Sequence, residues 1–208
     1  MKTMMQNGVR GALTLLVFAV LFTALMAGTY ALTKDIVANN EKVAKVALIA
    51  QVLPKGSFDN DILADAIAQD EVTKQRLNAE QGAQIYLAKK GDQTDAVVIE
   101  TIAPDGYSGK IKLLVGVAKD GSLLGVRVVA HKETPGLGDY IDAAKSAWIL
   151  AFDGQSLTHP QPERWAVKKD GGDFDSMAGA TISARAVVKA VKNTLLYVES
   201  QHSVLFGA

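Results

Sequence analysis

The segment Ala178-Gly179-Ala180-Thr181-Ile182-Ser183 sets two hydroxyls among small, uncharged residues. Gly179 and Ala180 leave the surface bare beside Thr181. From about Ile182–Ser183 to Glu199 an apolar stripe, Val187, Val191, Leu195 and Val198, recurs at helical spacing. A helix starting here presents unpaired N–H groups and a partial positive charge, which favours an anion and in particular a phosphate. Arg185, Lys189 and Lys192 follow at i, i+4 and i+7, and the first of them is placed to lean toward such a phosphate. Two plainer readings stand beside this one: Thr181 or Ser183 is an N-cap, and the basic stripe is a solvated face. A capping hydroxyl and a phosphate-bearing hydroxyl look alike in sequence.

A second stretch, His131 to Tyr140 (HKETPGLGDY), also departs from what a core requires. Pro135-Gly136 favours a tight turn, and Gly138 removes another side chain two positions on. Such a loop leaves backbone N–H groups accessible where a planar or anionic ligand approaches closely. The plainer alternative is an ordinary strand-to-helix connection.

Several chemistries are excluded. The chain of 208 residues has no cysteine, so disulfides, iron–sulfur clusters, thiolate zinc sites and cysteine nucleophiles fall together. His131, His159 and His202 lie far apart, and neither His-Glu-x-x-His nor a Walker phosphate loop is present. The Gly106–Gly109 stretch (GYSG) lacks the nucleophile-elbow spacing of serine hydrolases. With 22 basic and 22 acidic side chains there is no basic face for phosphate backbones, which argues against nucleic acid.

The elements that must position these stretches begin with a membrane helix. Gly11–Leu32 carries no charge. At about 1.5 Å per residue it reaches roughly 33 Å, enough to cross a hydrocarbon core. Lys2 and Arg10 precede it and no acid does, which predicts a cytoplasmic N-terminus and everything after Leu32 outside the inner membrane. A cleaved signal peptide is the competing reading, but this apolar run exceeds the roughly 7–15 residues of a signal core. Residues 33–82 read as a juxtamembrane helical region, interrupted by the breakers of Pro54–Asp61, with a helix expected over Asp61–Leu77.

From Gln84 the hydrophobic period changes to two. Gln84–Lys90 and Asp95–Ala103 predict one hairpin; Lys110–Ala118 and Ser122–His131, joined across Asp120-Gly121, predict another. A helix is expected over Tyr140–Phe152 with Ile141, Ala144, Trp148 and Leu150 inward, and one more short strand over Arg164–Asp170. Antiparallel strands with flanking helices give an α+β class, one anchor helix (11–32) after a cytoplasmic segment (1–10), and an exported domain over 83–208.

The run from Gly106 to Asp139, together with Gly179-Ala180-Thr181-Ile182-Ser183, resembles the FMN-binding domain family of membrane redox pumps. With the anchor included, the whole chain is similar to the family of G subunits of the Rnf (Rsx) electron transport complex, whose close relative is the C subunit of the sodium-translocating NADH:quinone reductase. In that family a Ser/Thr-Gly-Ala-Thr-x-Ser/Thr motif carries FMN as a phosphoester on its Thr. The resemblance therefore implies covalent FMN on Thr181, with Gly179, Ala180 and Ser183 around it. It also implies that the Glu133–Gly138 loop, through Glu133, Thr134, Gly136, Leu137 and Gly138, lies against the flavin. Ala178 departs from the motif's first hydroxyl residue, and the motif's upstream acid is Asp173 or Asp175. The implied protein is an electron-carrier subunit of an ion-translocating inner-membrane complex. It would be single-pass, with a periplasmic domain, with the other subunits and the lipid bilayer as partners and a flavin transferase for maturation. The alternative is a membrane-anchored sensor or binding module holding FMN or another ligand non-covalently.

Overall fold

The computed structural model describes residues 2–207, which divide into two compact units, Met1–Lys45 and Val46–Ala208. The first unit is almost all of one uninterrupted helix, α1 (Lys2–Ile49), whose last turn belongs to the second. It is long and apolar enough to cross a membrane. Leu15, Leu21, Phe22 and Leu25 along it are exposed, so no described part of the protein covers that apolar surface.

The second unit is built on an antiparallel sheet of five strands in sequential order: β1 (Ile67–Ala68), β2 (Gln84–Lys90), β3 (Gln93–Gly106), β4 (Gly109–Ala118) and β5 (Leu123–Ala130). Period-two alternation explains its two faces. Ile85, Val97, Ile99, Ile111, Leu113, Val115 and Val117 turn toward the larger core. Their neighbours Tyr86, Ala88, Ala96, Val98 and Leu114 turn toward a smaller one on the opposite side. The expected hairpins are both present, and β3 pairs with β4 in turn through a tight connection at Tyr107-Ser108.

Helix α3 (Thr181–Ser200) covers the larger core, burying Val187, Val191, Leu195 and Val198 as its spacing predicts. Two short helices flank it. One is α2 (Glu71–Leu77), capped by Asp70, which accepts from Thr73 N at 2.8 Å; the other is α4 (His202–Phe206). The smaller core is closed by Ile49, Val52, Leu53 and Ile62, from the end of α1 and the turns after it. There Val52 crosses the register pair Gly116 and Gly125. A Cβ on Gly125 would lie 3.0 Å from Val52 Cα, and one on Gly116 would press into the Val52 carbonyl oxygen. These two glycines are what let one backbone lie directly on the sheet.

Two expected helices are corrected. Over Asp61–Leu77 only Glu71–Leu77 is helical; Ile67–Ala68 pairs with β2 as an edge strand, and Ile67 is exposed. Over Tyr140–Phe152 the chain forms two 3₁₀ turns, Gly138–Ile141 and Trp148–Phe152. Tyr140, Ile141, Ile149 and Phe152 are buried, whereas Ala144 and Leu150 face solvent. Local side-chain bonds compete with the helix here. Asp142 accepts from Ala144 N at 2.9 Å, and Ser146 Oγ donates to Tyr140 O at 2.7 Å while accepting from Trp148 N. The short strand expected near Arg164–Asp170 is reduced to a single parallel bridge between Val167 and Phe174 beside a 3₁₀ turn.

Candidate functional site

The helix entrance is the least conventional part of the domain. Gly179 sits at φ +83°, in the left-handed region where a Cβ would be strained, and turns the chain into α3. Ala180 holds the N-cap position and is buried, with no side-chain hydrogen bond to the first turn. Thr181 is the first helical residue and half-buried. Ser183, two residues on, is fully buried, and its hydroxyl donates away from the helix, to Glu133 Oε2 at 2.7 Å. Neither of the two candidate hydroxyls is therefore the N-cap. The first-turn amides remain directed at whatever lies in front of the helix.

The segment leading to this entrance rests on aromatic rings. The Tyr140 hydroxyl accepts from Met177 N at 3.2 Å and faces Ala180 O at 3.4 Å; burial pushes its pKa up. Trp148 Nε1 donates to Asp175 O at 2.7 Å. Behind them Trp148 meets Tyr140 and Phe152 edge-on, and Phe152 stacks on Phe174 at 4.7 Å between centroids. The two candidate acids end in separate exposed ion pairs, Asp173 with Arg164 and Asp175 with Lys168. Ala178 is exposed at the turn before Gly179.

Glu133, Thr134, Leu137, Gly138, Gly179, Ala180 and Ser183 come together around one small, open recess. Tyr107 and Ile182 complete its walls, and both are largely exposed side chains. Thr181 itself does not line the recess, although its chain neighbours Ala180 and Ile182 do. Gly136 lies on the exposed outer turn of the loop and does not line it. Spacing alone singles out neither Tyr107 nor Ile182; the signal for Tyr107 is its place between Gly106 and Gly109.

Three amides of the loop are engaged within it. Leu137 N and Gly138 N both donate to Thr134 O at 3.1 Å, and Glu133 N donates to His131 Nδ1 at 3.1 Å. The basic stripe on α3 is also engaged within the protein. Arg185 makes a two-pronged pair with Asp170 at 2.6 and 2.9 Å, Lys189 meets Asp105 at 3.0 Å, and Lys192 donates to Pro162 O. Arg185 thus turns to Asp170 and not to the front of its own helix.

The recess at the uncapped entrance of the long helix α3, together with the last two strands of the antiparallel sheet, falls in a segment similar to a known FMN-binding domain. A family model of that description matches residues 106–196, from the β3–β4 connection through most of α3. A second, described as the RnfG N-terminal region, matches residues 1–52. Similar proteins run along nearly the whole chain, each named as the G subunit of an ion-translocating oxidoreductase complex. The protein from Yersinia pestis is 48% identical over 96% of this chain and 92% of its own length. Those from Pseudomonas aeruginosa (strain UCBPP-PA14) and Vibrio atlanticus are 46% and 44% identical, each over 95% of this chain and 92% and 93% of their own lengths. The chain belongs to the family of Rnf-complex G subunits.

Proposed function

We propose that Thr181 carries FMN as a phosphoester and that the domain serves as a tethered electron carrier in an ion-translocating membrane complex. The observation that carries this reading is the uncapped entrance of α3: Thr181 and Ser183 are both present, yet neither caps the helix. The surroundings fit the cofactor. The first-turn amides and the helix dipole favour a phosphodiester's negative charge at Thr181. Leu137, Ile182 and Tyr107 offer apolar surface to a planar ring, and Gly179 adds no side chain in its way. When bound, FMN supplies the redox chemistry.

What the chain itself does is hold and orient. Thr181 fixes the cofactor covalently, so it stays at high local concentration beside its partners instead of diffusing away. Gly179 and Ala180 let it approach the backbone, while the 133–138 loop forms the opposite wall. A separate flavin transferase makes the ester, and the other subunits of the complex exchange electrons with the domain. Helix α1 anchors the chain in the bilayer. The basic residues before it favour a cytoplasmic N-terminus, which leaves the FMN domain on the periplasmic side of the inner membrane.

The direct test is Thr181→Val in the full chain, coexpressed with the transferase. The expected result is loss of in-gel flavin fluorescence and of the added FMN mass on the denatured protein, with an unchanged unfolding transition. Covalent flavin persisting in that variant, or absent from the unaltered chain, would remove the proposed attachment.

A further inference from the structure

We propose that Glu133 is a positioning residue: its buried carboxylate ties the first turn of α3, and Thr181 with it, to the recess and leaves a negative charge behind the flavin. This rests on the reading that FMN is attached at Thr181.

Glu133 is 4% exposed, and its two oxygens are engaged by two different segments. Oε2 accepts from Ser183 Oγ at 2.7 Å, in the first turn of α3, and Oε1 accepts from Ser108 N at 3.1 Å, in the β3–β4 connection. The carboxylate therefore joins three separate pieces of chain at the wall of one recess. Two glycines make the space for it. A Cβ on Gly138 would lie 2.7 Å from Oε2, and one on Gly106 would lie 2.9 Å from Oε1. At Gly138 the carboxylate takes the volume a side chain would fill; at Gly106 the Gly109 carbonyl oxygen lies closer still and excludes a Cβ together with Glu133 Oε1.

Among the described residues no salt bridge joins Glu133 to a basic side chain; its donors are a neutral hydroxyl and a neutral amide, with the positive end of the α3 dipole nearby. Burying a carboxylate on such terms is costly, so a purely structural bridge would be served as well by a neutral amide or an apolar contact. Ser183→Ala cuts the tie to α3 and spares the bond from Ser108 N. Glu133→Gln removes the charge while keeping the size and an acceptor for Ser108 N.

The test uses the full chain, made with and without the flavin transferase. In flavin-free protein, Ser183→Ala should speed amide exchange over residues 184–187, whose N–H groups close the first turn of α3, severalfold and leave β4 residues 113–117 unchanged. In flavin-loaded protein, Glu133→Gln should shift the one-electron equilibrium about tenfold toward reduced flavin, a rise of about 59 mV in midpoint potential. Ser183→Ala should slow flavin attachment severalfold, and Ser183→Thr should restore the rate.

Unchanged exchange in Ser183→Ala overturns the tie, and this holds whether or not flavin is present. An unmoved potential in Glu133→Gln overturns the charge. If exchange accelerates equally in β4, the role is general folding and the positioning claim falls. If the unaltered chain carries no flavin on Thr181, the attachment reading fails, while the exchange experiment still decides the tie.

Discussion

The two faces of the sheet are covered by different devices. On one, α3 lays Val187, Val191 and Leu195 over the apolar side chains of β3 and β4, and rings from the turns after β5 fill the remaining volume. On the other, the turns that follow α1 lie against the strands, and at Gly116 and Gly125 backbone meets backbone. Interdigitated side chains position a long rigid helix, and its free N-terminal end is where the recess opens. Direct backbone contact does something narrower: it fixes where the chain leaving α1 crosses the sheet. The recess belongs to the first device and the seating of the chain leaving α1 to the second, so damage to one should leave a signature distinct from damage to the other.

The sharpest break is expected on the α3 face. Phe152 is fully buried, stacked on Phe174 and edge-on to Trp148, whose indole holds the segment leading to Gly179. Phe152→Ala should cost about 3–5 kcal/mol, the usual range for emptying an aromatic from a core. Chemical denaturation followed by tryptophan fluorescence reads that loss. Flavin attachment should fall with it, because Trp148 and Tyr140 lose their backing. A cost under about 1 kcal/mol would mean that the site segment does not depend on this core.

Gly116→Ala addresses the opposite face. The added methyl would press into the Val52 carbonyl, and overfilled sites of this kind cost about 1–3 kcal/mol. Here the signature should be faster proteolysis in the Pro54–Asp61 stretch, with flavin load and potential unchanged. Loss of flavin in this variant would show that the two faces are coupled, against the division drawn above.

Much of this arrangement is legible in the sequence because it follows from period and turn chemistry. The β4–β5 hairpin is announced by Asp120-Gly121 between alternating strands, and the α3 stripe by four apolar residues at helical spacing. What is not legible is where side chains compete with backbone. Nothing in the composition of Tyr140–Phe152 distinguishes a helix from two 3₁₀ turns; the outcome depends on Asp142 and Ser146 bonding locally. The site divides in the same way. The bare helix entrance and the loop can be picked out as separate stretches, and the family resemblance joins them. The partnership of Glu133 with Ser183 spans 50 residues and needs the fold to become visible. Tyr107 enters the recess only because β3 and β4 pair tightly around it.

The smallest expected effect concerns the outer side of α3. Arg185 donates to both oxygens of Asp170, and this pairing holds the Asp170 carboxyl below the usual carboxylate range. A carboxyl whose pKa is lower folded than unfolded contributes stability above the unfolded pKa and loses it as pH falls through the folded one. The unfolding temperatures of the unaltered chain and Asp170→Asn should therefore differ slightly at neutral pH and converge as pH falls below about 4. Added salt should shrink the difference as well, since the pair is exposed and screened. Flavin load should not change, because Arg185 faces Asp170 and away from the recess. A flavin load that rises in Asp170→Asn would show that a freed Arg185 swings to the helix entrance, and would make Asp170 a competitor of the phosphate for it.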